Sequence, residues 1–523
     1  MESPFKDILY TNIAPSDSQC QTIRGFLVAP REEISALTDE IVSTQALLEA
    51  LTQRRAALEE LVSAHLALVS PIRRLPADVI QEIFVACLPS GQNSVMSEQD
   101  APLLLCHICR AWRSLAFCMP RLWAALHVAV PSKDDMPAMN EAVNGWLSRS
   151  GILPLSISVG APRRFEYDVS TLLQTLISFS PRWKHIRFMF PIYDSFSPLA
   201  SLSPADVPIL KTLALKGFHW NASTPDPGTL SNHLGFIGTA SLRSVSIPAG
   251  APDSTLIPFR WEHLRQLSFR GGAAFIAADV ALTILQKCPL LEMLSFSLRA
   301  GNVSPAPATL CHMEYLRDLY VFERVPQTSD FFAHIIAPNL AHLEYASLGS
   351  DLPFTPMLSS SRFLDGLCLK GSRVPVTSLL DTLALIPTIR RLLLRNEPVI
   401  LPARTQDPLF ISLLNRGTPE AAGILCPNLE RIELVNFHAM SDKTLLEFVQ
   451  ARPRLSNVRV RFHRVREIDI IPPLQPVIDE GLEVSLHYQD RARRLRMRVY
   501  SPSEALERHD ADWMPSPPSD FWS

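Results

Sequence analysis

The 523-residue chain is short of glycine, of net charge and of long apolar runs, and each scarcity removes a class of function. Its 19 glycines form no glycine-rich phosphate loop, and Gly271-Gly272 and Gly349 stand too isolated to make one. A net charge of −3 sets up no long-range field toward nucleic acid or an anionic membrane surface. No run of about 18 apolar residues is present, so no spanning helix is expected. The N-terminus lacks a basic region followed by an apolar one, so no secretory signal is expected either. Nine cysteines, an odd number set in apolar segments, suit free thiols in a reducing compartment. The expectation is an intracellular protein, cytoplasmic or nuclear.

Catalytic signatures are equally scarce. There is no Gly-x-Ser-x-Gly elbow, His-Glu-x-x-His helix or Walker loop. His185, His263, His334, His342 and His438 have no paired spacing. Cys106-x-x-Cys109 is a single pair with no second pair at zinc-ligand spacing, and both thiols are expected on an apolar helix as structural cysteines, with His107 exposed between them. No catalytic residue, metal or cofactor is expected. What the chain does have is an ordinary soluble balance, 47 % hydrophobic and 19 % charged, a length that suggests two to four units, and 44 prolines as punctuation.

The most patterned stretch is 70–128. Pro76 sits where a helix can start, because its missing N–H is unneeded there. Asp78 and Glu82 lie near that N-terminus, where the helix dipole favours anions. Val79, Ile80, Ile83, Phe84 and Cys87 recur at helical spacing, and Pro89-Ser90-Gly91 stops the helix. A second helical stretch carries Leu104, Leu105, Ile108, Cys109, Trp112 and Leu115, and Pro120 ends it. An ordinary helical core segment would bury Ile83, Phe84 and Trp112 as well.

The order of these elements resembles an F-box. Leu75-Pro76, Ile80/Ile83-Phe84, Ile108-Cys109-Arg110-Ala111-Trp112-Arg113 and Pro120-Arg121-Leu122-Trp123 match its four sub-motifs in sequence. Ile108 stands where the family usually has Val, and the polar insert 90–100 is longer than in a compact F-box. The resemblance implies a small helical module (70–130) docking on the Skp-type adaptor, and through it on the cullin and RING subunits of a ubiquitin ligase. The residues it implicates are Leu75, Pro76, Ile80, Ile83, Phe84, Ile108, Cys109, Trp112, Leu122 and Trp123, divided between the module's own core and an adaptor-facing patch.

Before the module, residues 1–30 are mixed and expected to be poorly ordered. Residues 31–69 place Ile34, Leu37, Ile41, Leu48, Leu51, Leu58 and Val62 at intervals of three and four, interrupted by Thr44, Arg55 and His65. This is a heptad-patterned helix, either a coiled coil for self-association or a helix folded back on the rest of the chain.

After Trp123 a repeat begins. The pattern Leu-x-x-Leu-x-Leu, with any large apolar residue allowed, recurs at Trp183/Ile186/Phe188, Leu210/Leu213/Leu215, Leu242/Val245/Ile247, Leu264/Leu267/Phe269, Leu291/Leu294/Phe296 and Leu316/Leu319/Val321. It continues at Leu340/Leu343/Tyr345, Leu364/Leu367/Leu369, Ile389/Leu392/Leu394, Leu429/Ile432/Leu434 and Leu455/Val458/Val460. The middle interval is roughly 22 to 27 residues, within the leucine-rich-repeat range. Helical patches are expected at 277–287, 330–336, 378–386 and 443–450, and inserted loops at 220–230 and 396–423. A strand and a helix at this period bury their apolar faces only by stacking on neighbours. The expected fold class is therefore α/β: a long N-terminal helix, the helical module, then a leucine-rich-repeat-like solenoid over 131–480. The alternative is a doubly wound α/β domain.

The repeats also resemble those of F-box proteins with C-terminal degenerate leucine-rich repeats, as in the large F-box-like families of mushroom-forming fungi. That implies a non-catalytic receptor whose repeat face holds a protein substrate. Candidate target-binding residues, between the apolar positions, are Arg243, Arg265, Glu292, Arg317, His342, Asp365, Arg390 and Arg431, with Lys211, Glu430 and Asn457 beside them. The segment 481–523 carries Arg491, Arg493, Arg494, Arg496 and Arg498, then Glu504, Glu507, Asp510 and Asp512, and is expected to be a solvated, partly disordered tail.

Overall fold

Each Leu-x-x-Leu-x-Leu run becomes a strand because its apolar residues alternate, so one face is driven inward while the other stays polar. The computed structural model describes residues 3–130, 135–161, 168–190, 193–217, 234–247, 257–269, 275–299, 310–323, 329–347, 349, 351–371, 374–395, 413, 425–437, 440–462 and 464–488. Among these the strands are β1 (Ala125–Ala129), β2 (Leu155–Gly160), β3 (Trp183–Phe190), β4 (Thr212–Gly217), β5 (Ser244–Ile247), β6 (Gln266–Phe269), β7 (Ile276–Ala277), β8 (Met293–Arg299) and β9 (Cys311–His312). They continue with β10 (Asp318–Glu323), β11 (Ile335–Ile336), β12 (His342–Ser347), β13 (Gly366–Lys370), β14 (Arg391–Arg395), β15 (Arg431–Phe437), β16 (Asn457–Phe462) and β17 (Glu483–His487). The expected loops at 220–230 and 396–423, apart from Leu413, and the tail beyond Tyr488 lie outside the described residues; the first part of the segment expected as a solvated tail, 481–488, instead carries β17, which pairs with β16.

The chain divides into two compact units, 1–80 and 81–523. In the first, helix α1 (Asp17–Leu68) spans 52 residues. It begins fourteen residues before the expected start at 31 (31 − 17 = 14), because Ser16 and Gln19 form a capping box that satisfies its first free amides. Pro30 lies inside it and costs a single helical hydrogen bond. Helix α2 (Ala77–Ala86) opens directly after Pro76, as the missing N–H predicts.

In the second unit the main sheet is parallel and runs in single file, each long strand beside the next one in the chain. A doubly wound domain would reverse its strand order at a switch point, so the architecture is a leucine-rich-repeat-like solenoid. The expected apolar positions fall into register: Leu267, Leu294, Leu319, Leu343, Leu367, Leu392 and Ile432 form one row across neighbouring strands. All seven are fully buried, and each contributes roughly 1.5–3 kcal/mol by leaving water. Besides the two-residue strands β7, β9 and β11, three strands carry no triplet marked in the sequence: β1 with Leu126 and Val128, β2 with Ile157 and Val159, and β17 with Val484 and Leu486.

β1 also shifts the expected boundary. Trp123 stands three residues before Leu126, the spacing from first to second apolar residue in the triplets marked in the sequence. Ser156 N–H donates to the Ala124 carbonyl at 2.9 Å, as in later repeats Ser244 donates to Lys211 and Met293 to Arg265 from the same positions. The solenoid's sheet therefore starts at Ala125, inside the span assigned to the module. Helices alternate with the strands along the chain, including α5 (Met136–Arg149), α6 (Ser170–Ile177), Ala278–Lys287, Val376–Ala384 and Asp442–Gln450. No helix among the described residues is long and apolar enough to cross a membrane.

Candidate functional site: the helical module and the polar face of the repeats

The second helical stretch of the module is two helices, α3 (Leu103–Ile108) and α4 (Arg110–Phe117). Cys109 between them is extended at φ −159°, and its sulfur accepts the Trp112 N–H as the N-cap of α4. A continuous helix would leave Arg113 no reach to Cys106, whereas here Arg113 Nε donates to the Cys106 carbonyl at 2.8 Å and closes α3. The two thiols thus part company: Cys106 is buried on α3, Cys109 is exposed at the break. Burial pushes the Cys106 thiol up, against the pull of Arg113 and Arg149. Among the described residues no three His, Cys, Asp or Glu side chains group as a metal site.

Packing sorts the ten implicated residues. Phe84 is buried with its ring 4.8 Å from that of Trp112. Trp123 is buried, donates from Nε1 to the Ala116 carbonyl at 2.9 Å, and meets Trp146 of α5 edge-on at 4.9 Å. Leu122 is buried too. These three face inward and offer a partner nothing. Ile80, Ile83 and Trp112 are half-buried, while Leu75, Pro76, Ile108 and Cys109 are exposed. Ile108 is 57 % exposed, and Leu104 and Phe117 on the same pair of helices are also exposed. The Arg149 guanidinium lies 4.9 Å from the Phe117 ring centroid and 5.1 Å from that of Trp123, tying α4 to α5.

The long polar insert has a structural task that sequence spacing did not reveal. Val95 forms a parallel bridge with His127, and the His127 N–H donates to the Ser94 carbonyl at 2.7 Å. The insert thereby covers the otherwise open first edge of the sheet. Buried Asn93 locks it there, with Nδ2 donating to Ser158 Oγ at 2.9 Å and Oδ1 accepting from Ser156 Oγ at 2.8 Å.

The candidate target-binding residues do not form one row. Arg243, Arg265, Glu292, Arg317, Asp365 and Arg390 immediately precede their strands and build a main-chain ladder along the rim. The carbonyl of each accepts the N–H of two consecutive residues in the next repeat, as Arg265 does from Glu292 at 2.7 Å and Met293 at 3.0 Å. His342 and Arg431 sit one position further, at the first residue of β12 and β15.

The structure gathers His342, Asp365 and Arg390 of the set into a polar lattice with Asp318, Arg391 and Glu430. His342 Nδ1 is 2.5 Å from Asp318 Oδ1, and Arg391 Nη2 reaches His342 Nε2 at 2.6 Å and Asp365 Oδ2 at 2.5 Å. Arginine only donates, so His342 Nε2 is an acceptor and its Nδ1–H points to Asp318. Arg390 continues the chain of charges, 3.7 Å from Asp365 and 3.6 Å from Glu430. Arg265 and Glu292 form a separate exposed pair.

The sequence reading missed the residue between the second and third apolar positions. This column includes Tyr320, Glu344, Cys368, Leu393, Glu433 and Arg459 in consecutive register. Glu344 is fully buried with Lys370 Nζ at 2.7 Å. Burial, with Glu344 beside it, holds the Cys368 thiol well above its usual range. The signal was available, since Leu343-Glu344-Tyr345 places a carboxylate between two inward residues of one strand. At the C-terminal end, Glu433, Asn457, Arg459, Glu483 and Ser485 line a groove of about 430 Å³ across β15–β17.

No protein-family model matches this chain, and no curated protein matches it. Among solved structures it is similar to an internalin from Listeria monocytogenes at 12 % identity, covering 67 % of this chain and 83 % of that one, with a TM-score of 0.29. It is also similar to a protein from Bacteroides fragilis at 12 % identity, covering 69 % and 73 %, with a TM-score of 0.23. At this level the fold rests on the strand register described above.

Proposed function

We propose that this chain is a non-catalytic substrate receptor of a cullin-RING ubiquitin ligase, with the F-box-like module docking on a Skp-type adaptor and the repeats holding a target protein. The observation that carries the reading is the exposure of Ile108, Leu104 and Phe117 on a module whose own core is already closed by Phe84, Trp112 and Trp123. Apolar residues left outside a completed core favour a partner. The polar lattice from Asp318 to Glu430, with the groove on β15–β17, is the proposed target face, its charges fixing specificity. The contribution to the reaction is proximity, which raises the effective concentration of the target near the conjugating enzyme.

The test is co-purification of the full chain with a Skp-type adaptor, wild type beside Pro76→Ala/Ile83→Ala and beside Ile108→Asp. Binding by wild type that both variants lose supports the reading. A wild type that does not bind removes the ligase role. The second reading, a repeat scaffold without ligase function that assembles through its N-terminal helix, is favoured by the exposed apolar residues of α1.

A further inference from the structure

Along α1, Ile34, Leu37, Ile41, Leu48, Leu51 and Leu58 are each between 51 % and 64 % exposed. In the heptad frame Ile34, Ile41, Leu48 and Arg55 take the a positions, and Leu37, Thr44, Leu51 and Leu58 the d positions. Most helical stability comes from packing an apolar face, so a regular seam left in water calls for a partner of the same period. We propose that a second copy of this chain covers it, in antiparallel orientation centred on Ala46.

Arg55 decides the orientation. A parallel pair sets a against a, so Arg55 would meet Arg55 of the second copy inside an apolar seam, where like charges are costly. The antiparallel pair sets a against d. Centred on Ala46, it layers Ile34 on Leu58, Leu37 on Arg55, Ile41 on Leu51 and Thr44 on Leu48 of the second copy. The Arg55 stem then covers Leu37 while its head, paired with Glu59 on its own helix at 3.5 Å, remains in water.

The flanking charges agree. In the antiparallel register Glu40 faces Arg54 of the second copy and Arg31 faces Glu59, each contact made twice by symmetry. In the parallel register Glu40 faces Gln45, and Arg54 with Glu59 is the remaining opposite-charge contact. Glu40 and Arg54 have only uncharged residues three and four positions away on their own helix: Ala36, Leu37, Ser43 and Thr44 for one, Ala50, Leu51, Ala57 and Leu58 for the other. Reversing their charges therefore reports on the partner helix alone.

Sedimentation equilibrium of the full chain through the micromolar range tests this. The wild type is expected to be a dimer, and Ile41→Asp/Leu51→Asp a monomer whose solenoid melts as in wild type. Glu40→Arg and Arg54→Glu should each raise the dimer dissociation constant roughly five- to tenfold, from two pairs turned repulsive. The double variant Glu40→Arg/Arg54→Glu should return it close to wild type. A wild type that stays monomeric overturns the proposal, and so does a double variant that binds no tighter than either single one. Neither result depends on adaptor binding.

Discussion

Arg391 donates to His342 at 2.6 Å although a whole strand, β13, runs between them. The reach is open because the residue of β13 in that row is Gly366, with no side chain to stand in the way. A double-mutant cycle on His342→Ala and Arg391→Ala should give a coupling of about 1 kcal/mol. Repeated in a Gly366→Leu background, the coupling should fall to near zero; a coupling that persists would refute the spacing argument.

Gly371 is constrained differently. Its N–H donates to the Arg395 carbonyl at 2.9 Å, and a Cβ placed there would collide with the backbone carbonyl oxygen of Ser347. Gly371→Ala should destabilise the solenoid by about 1–3 kcal/mol in urea unfolding. Gly25→Ala, where a Cβ meets open space on α1, should instead be neutral or slightly stabilising.

At the C-terminal end one carboxylate organises three segments. Asp442 is fully buried and accepts from Arg464 at 2.6 Å, from the Glu467 and Ile468 amides at 2.8 and 2.9 Å, and from Tyr488 at 3.1 Å. Burial alone would raise its pKa, but the Arg464 and amide hydrogen bonds and the Arg464 charge outweigh it and hold the group below the ordinary carboxylate range. A folded-state value below the unfolded one gives stability that is fully present above about pH 4 and lost as pH falls through the folded value. Asp442→Asn should cost about 3–5 kcal/mol at neutral pH, and its stability should fall less steeply than that of wild type below pH ~4.

The run Arg452-Pro453-Arg454 sets a buried arginine beside an exposed one. Arg452 donates to the Cys426, Leu413 and Leu425 carbonyls at 2.7–2.8 Å, with its guanidinium 5.0 Å from the Phe448 ring centroid. Arg454 is exposed and bonds Asn428. Arg452→Leu strands three acceptors and should cost several kcal/mol in thermal or urea unfolding. Arg454→Leu should stay within about 0.5 kcal/mol of wild type.

Asn93 fastens the polar insert to the edge of the sheet. Asn93→Leu removes the donor to Ser158 and the acceptor of Ser156, and should cost about 1–3 kcal/mol. Amide exchange should speed up first at His127, whose N–H bonds the insert. Protection unchanged at His127 would show that the insert holds its place without Asn93.

The repeat was legible because its information is local. Alternation within six residues tells Leu343 and Tyr345 to face inward, and recurrence of that pattern tells successive strands to stack. Pro76 and the α2 stripe were legible for the same reason. Where local signals competed, local reading erred: the apolar run through Ile108 and Cys109 looks like one helix, and nothing within it announces that Arg113 will turn back on the Cys106 carbonyl.

The sequence by itself determined which apolar residues of the marked repeats pair in rows and the heptad seam of α1, since both follow from the period of apolar residues. Tertiary structure alone decided that the insert at Asn93 seals the first sheet edge, that Trp123 both ends the module and begins the first repeat, and that Asp318, His342, Arg391 and Asp365 meet in one lattice. Each of those depends on a partner a full repeat or more away in sequence. A hydrogen bond or ion pair has no periodic trace in a chain, and only strand register brings its two ends within reach.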